Sequence, residues 1–250
     1  MRLLKHKALN ILVVGGLLLV GCASSIPMKE LKPTEMIVGK QDKYLQIKSP
    51  DGLDGWERGL WEYKHEHYDR ARELLEPYKN KNISMIQHAF GFMYQNGLGG
   101  LPKDYNKAAQ FYRKAIEIDG YPSSMNNLAA FYLYGVGGIS RDRDVALKLY
   151  EKAAKAGYAI AQFNLGNIYH FGRDGFSEDY GKAYYWYQQA SNQGHAMAAR
   201  RIGYMYEHGN GFEPNLEKAL YWHKIAAKRG NKFSKGDAIR LKNSLYKKSH

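Results

Sequence analysis

The chain has 250 residues, 14% of them aromatic, a formal charge of +13 and one cysteine. A single thiol excludes a disulfide framework and a C-x-x-C site. The charge is segregated: three of the cations lie in the first seven residues, residues 22–55 balance five lysines with five carboxylates, and residues 228–250 carry a net +7. That leaves +3 for the body of the chain, so basicity belongs to the C-terminal end and not to a chain-wide nucleic-acid surface.

Residues 1–21 have the form of a targeting segment. Arg2, Lys5 and Lys7 make a positive start, and Ala8 to Val20 is apolar apart from Asn10. The stretch is shorter than the roughly 20 residues that span a bilayer. It runs into Leu19-Val20-Gly21-Cys22, which resembles the lipobox of bacterial lipoproteins. The resemblance implies a mature chain that begins at Cys22 with acyl chains on its thiol. At about 0.8 kcal/mol per buried methylene, two or three chains anchor stably. Ala23 and Ser24 stand where an aspartate would retain such a protein at the inner membrane, so an outer-membrane, periplasm-facing location is expected.

Residues 22–55 carry Pro27, Pro33, Pro50, Gly39, Gly52 and Gly55 without a sustained apolar period, which predicts a flexible tether. A coil of that length reaches roughly 30 Å. Residues 56–82 predict a degenerate helix hairpin, with Trp56, Leu60 and Tyr63 on its first helix and Tyr68, Ala71, Leu74 and Leu75 on its second. Within it, His65-Glu66-His67 invites a metal reading. On a helix, residues two apart point about 200° apart and cannot share an ion; only a turn would permit chelation.

Self-similarity governs residues 83–230, in units of about 83–121, 122–158, 159–195 and 196–230. Tyr94, Tyr132, Tyr169 and Tyr206 recur at spacings of 38, 37 and 37. Gly91, Ala129, Gly166 and Gly203 precede them by three, and Gly97, Gly135, Gly172 and Gly209 follow by three. Next come Asp104, Asp142, Asp179 and Asn215, then Ala108, Ala146, Ala183 and Ala219, then Tyr112, Tyr150, Tyr187 and His223. Each unit predicts two antiparallel helices: the glycine after the tyrosine ends the first, and the Asp or Asn caps the second. One hairpin cannot bury its own apolar face, so the units must stack.

These residues resemble the Sel-1-like repeat family, a relative of the tetratricopeptide repeat. The third unit follows the family pattern through Ala161, Leu165, Gly166, Tyr169, Gly172, Asp179, Ala183, Trp186, Tyr187, Ala190 and Gly194; Ala129 and His223 depart from it elsewhere. The resemblance implies an all-α α-solenoid of stacked antiparallel helix hairpins. Residues 231–250 predict a basic capping helix and tail, with Ile239, Leu241 and Leu245 on the helix.

No G-x-S-x-G elbow, Walker loop or H-E-x-x-H occurs in the chain, and the acidic series Asp104, Asp142, Asp179 is explained by helix capping. The expectation is a non-enzymatic protein with no cofactor, no metal and no nucleic-acid partner, monomeric and anchored by its lipid. In related tetratricopeptide hairpins the first helices line a concave face. Transferring their offsets to Phe90, Leu128, Leu165 and Ile202 implies a partner-binding groove that includes His88, Phe92, Gln95, Asn126, Tyr134, Asn167, His170, Phe171, Arg200, Tyr204, Glu207 and His208. Lipoproteins with such repeats include immunity proteins that neutralise antibacterial phospholipase-type effectors, which makes a toxic lipase one expected partner. A structural adaptor in an envelope complex, or a binder of a host protein or anionic glycan, is the alternative.

Overall fold

The structure, a computed structural model, describes residues 52–53, 55–172 and 175–248. The expected signal peptide, Cys22 and nearly all of the tether lie outside them. Among the described residues there are eleven α-helices and no strand. A short hairpin comes first, α1 (Gly55–Lys64) and α2 (Tyr68–Leu75), followed by a one-turn 3-10 helix (Glu76–Tyr78). Four regular hairpins follow: α3 (Ser84–Asn96) with α4 (Tyr105–Asp119), α5 (Pro122–Tyr134) with α6 (Arg143–Lys155), α7 (Ala159–Phe171) with α8 (Tyr180–Asn192), and α9 (Ala196–His208) with α10 (Leu216–Lys228). A single helix, α11 (Lys232–Lys248), packs on α10 and ends the stack. Successive hairpins meet through α4 on α5, α6 on α7 and α8 on α9, which is the solenoid arrangement.

The recurring residues account for these boundaries. Gly97, Gly135, Gly172 and Gly209 take left-handed backbone, with φ of 67°, 68°, 53° and 74°, where each first helix stops. Asp104, Asp142, Asp179 and Asn215 then accept the backbone N–H three residues on, at 2.9, 3.0, 2.8 and 2.8 Å. The same four residues donate their own backbone N–H to the carbonyls of Tyr94, Tyr132, Tyr169 and Tyr206, at 2.7–2.9 Å. Each hairpin is therefore latched at its turn by one backbone hydrogen bond.

The second helices turn an Ala–Tyr–Ala stripe inward. Tyr112 and Tyr187 are fully buried, and both need a glycine opposite them. A Cβ on Gly91 would come within 2.7 Å of the Tyr112 ring, and one on Gly166 would run into Tyr187. In the second unit Ala129 and Tyr150 share this contact, both buried. Phe90, Phe131, Leu165 and Ile202 are the fully buried centres of the first helices. Leu60, Tyr63, Ala71 and Leu75 of the opening hairpin join the first of these cores.

The closing helix copies a first helix without a second one behind it. Asn231 accepts the Ser234 N–H at 3.0 Å, as His195 accepts that of Ala198 at 3.2 Å. Ser234 and Leu241 are buried at the positions 36 residues after Ala198 and Met205. At the position equivalent to Gly203, however, stands Ile239, and it is 55% exposed.

Candidate partner-binding groove

The twelve expected groove residues do not form one open surface. Six of them are buried beneath the inner face. His88 Nδ1 lies 2.9 Å from Ser124 Oγ, and burial lowers its pKa to about 3, so it is neutral. Phe92 packs edge-on against Tyr63 at 5.8 Å. Gln95 accepts the Tyr112 hydroxyl at 2.7 Å, and Asn167 accepts that of Tyr187 at 2.9 Å. Asn126 accepts the Asn164 amide at 2.9 Å. Asn210 donates to His170 Nε2 at 3.1 Å, and burial, helped by Arg201, lowers the His170 pKa to about 4. These side chains, 3–8% exposed, form the floor of the inner face: His88, Phe92, Asn126 and His170 tie one hairpin to the next, and Gln95 and Asn167 tie the two helices of their own hairpin. Tyr134 and Phe171 are half-buried, and the Arg201 guanidinium lies 5.0 Å above the Phe171 ring.

The structure brings Arg200, Tyr204, Glu207 and His208 together at the C-terminal end, where the inner face opens. They border a pocket of about 360 Å³. Tyr204 is 39% exposed, and its ring stacks on His208 at 3.9 Å. The pocket also contains residues that the groove offsets did not select: His223 from α10 and Asp237 and Arg240 from α11. Arg200 Nε donates to Asp237 Oδ2 at 3.0 Å, and Arg240 reaches Glu207 with both terminal nitrogens, at 2.6 and 3.0 Å. Burial works to raise the Glu207 pKa, but the hydrogen bonds and charge of Arg240, together with His208 and His223, outweigh it and hold the carboxylate below its ordinary range.

The pocket exists because of one departure from the repeat. His223 stands where the other units have tyrosine, with Gly203 opposite it as Gly91 and Gly166 stand opposite theirs. An imidazole is shorter than a phenol. Where Tyr112 and Tyr187 reach across to a first-helix amide, His223 stops short, 3.7 Å from Glu207 and 3.6 Å from Asp237. Neither ring nitrogen has a hydrogen-bond partner, although the residue is only 2% exposed. The tyrosine-to-histidine change is visible in the sequence; the two α11 residues are not, because nothing local links them to α9.

The His65–Glu66–His67 run does form a turn, but each imidazole is engaged within the hairpin. His67 Nδ1 lies 2.8 Å from Glu62 Oε2, and His65 Nδ1 lies 2.8 Å from the Trp61 carbonyl oxygen. Among the described residues no group of three or more His, Cys, Asp or Glu is placed to hold a metal, and no helix is long and apolar enough to cross a membrane.

Comparison with known proteins matches residues 83–119, 122–158, 159–195 and 196–231 to the Sel1 repeat. Among solved structures, the chain is similar to a Sel1 repeat protein from Oxalobacter formigenes, with 28% identity and a TM-score of 0.67 over 74% of each chain. It is also similar to c5321, a protective antigen present in uropathogenic Escherichia coli strains, with 28% identity and a TM-score of 0.61 over 74% of this chain and 40% of that one. A Sel1 repeat protein from Klebsiella pneumoniae gives 25% identity and a TM-score of 0.50 over 75% and 91%. Comparison with curated proteins returned no match.

Proposed function

The chain belongs to the Sel1 repeat family, and we propose that it is a lipid-anchored envelope protein that holds a protein partner at the C-terminal end of its groove. One observation carries the choice of surface. Tyr204 and His208 form an exposed aromatic stack beside a polar pocket, while Phe92 and Asn167, which stand in the place of Tyr204 in the first and third units, are buried. Aromatic and arginine side chains around a pocket are the kind of anchors that dominate protein interfaces. The anchor rests on the lipobox at Cys22; Cys22→Ser should leave a precursor without labelled palmitate, and normal labelling of that variant would refute it.

The test of the groove is capture of envelope proteins on the folded domain, identified by mass spectrometry, followed by titration calorimetry. Tyr204→Ala with His208→Ala should weaken the identified partner about tenfold or more with helical content unchanged. Lys242→Ala with Lys247→Ala, on the basic end, should alter the salt dependence more than the affinity. The opposite outcome would move the site to the basic end. A narrower form of the proposal is immunity: the chain would neutralise a periplasm-directed phospholipase effector and rescue cells that express it. Absence of rescue from every such effector encoded beside this gene favours the adaptor role.

A further inference from the structure

We propose that the pocket between α9, α10 and α11 receives an acidic group, an Asp or Glu side chain or a chain-terminal carboxylate, presented by the partner. This names the chemistry of one subsite and rests on the protein-binding function proposed above. The first argument is His223. A buried polar side chain is ordinarily paired, yet neither of its ring nitrogens has a hydrogen-bond partner, and the residue lines the pocket. Its near neighbours on α9 and α11, Glu207 and Asp237, are acceptors, already engaged by Arg240 and Arg200. A neutral imidazole can turn its one N–H toward only one of them. Its other nitrogen then faces a carboxylate with no proton between.

The second argument is charge. Arg200, Arg201 and Arg240 border the pocket against Glu207 and Asp237, an excess of one cation before either histidine is counted. The pairing with Asp237 uses Arg200 Nε and leaves its two terminal nitrogens for a further acceptor. A ligand carboxylate can accept from those nitrogens. Its added negative charge also favours the imidazolium, which has an N–H for each side. A basic ligand would meet the cation excess, and carboxylate oxygens that already accept from arginine.

The test uses the folded domain with its histidine rings labelled for NMR, and acetyl-Glu-Glu-amide as the probe. Acetyl-Gln-Gln-amide and acetyl-Lys-Lys-amide are the controls. The acidic dipeptide should shift the His223 ring signals and raise the pH at which they titrate, and the controls should not. His223→Tyr restores the residue of the other three units and fills the space; it should fold and abolish binding of the acidic dipeptide in titration calorimetry. Glu207→Gln removes a repelling carboxylate and should tighten acidic-peptide binding about threefold to tenfold, a result that stands even if the tyrosine variant misfolds. Preference for the lysine peptide, an unmoved His223 signal, or weaker binding by Glu207→Gln overturns the proposal. A partner captured from the envelope that is indifferent to His223→Tyr overturns the pocket and leaves the groove standing. A peptide response with no captured partner does the reverse.

Discussion

The ion pair that fastens α11 across the end of the groove can be measured by a double-mutant cycle on Arg200 and Asp237. Their side chains are 25% and 21% exposed, and Arg200 Nε lies 3.0 Å from Asp237 Oδ2. At this separation, with an effective dielectric constant near 20, the Coulomb attraction is about 5 kcal/mol. Desolvation of two half-buried ions removes most of it. A coupling of about 1–2 kcal/mol should remain, above the ~0–1 kcal/mol of a fully exposed pair. Asp237→Ala should cost more than Arg200→Ala, because Asp237 also lies 3.6 Å from Arg240 and from His223. Urea denaturation of the two single variants and the double variant gives the coupling, and hydrogen exchange in α11 shows where protection is lost. A coupling below about 0.3 kcal/mol, or loss of protection spread evenly over the solenoid, would refute the clamp.

Three other outcomes are expected. Gly166→Ala drives a methyl group into the Tyr187 ring and should cost about 1–3 kcal/mol; a melting temperature unchanged from the parent would contradict the packing. Asn215→Ala removes the α10 cap at a cost of about 1 kcal/mol, while Asn215→Gly costs only a few tenths, a difference that chemical denaturation resolves. Burial lowers the pKa of His170 and His195 to about 4 and that of His88 to about 3, so the unfolded chain binds protons near pH 6.5 that the folded chain refuses. Stability should therefore fall as the pH drops from about 6.5 toward 4, by up to about 3 kcal/mol for each histidine. His170→Asn should flatten the slope in a pH series of melting curves.

The repeat architecture was legible because its signals are local. The glycine that stops a helix and the Asp or Asn that starts the next act within a few residues, and all four caps appear where the spacing put them. The groove was legible only in part. Offsets from tetratricopeptide hairpins assume that inner-face residues point into open space. In this chain His88, Asn126 and Asn167 are drawn into contacts with side chains 36, 38 and 20 residues away. Arg200 reads as a free groove cation in sequence, and its engagement by Asp237 depends on how α11 settles on α10. His170 and His208 are nearly equivalent by number, yet one is buried under its neighbours and the other is exposed, because only the later one lies where the stack ends.

The backbone latch at each hairpin turn also bears on how such a chain acquires its shape. The donor and acceptor are ten residues apart in the first three units and nine in the fourth, and side-chain bonds between units, such as Asn210 to His170, reach 40 residues at most among those named here. Closing short loops costs little entropy and proceeds quickly. A polypeptide emerging amino end first can therefore complete one hairpin and dock it before the next appears, without waiting for its far end. The last unit is fastened only when α11 arrives. The region that carries the proposed binding surface is thus the last to become rigid.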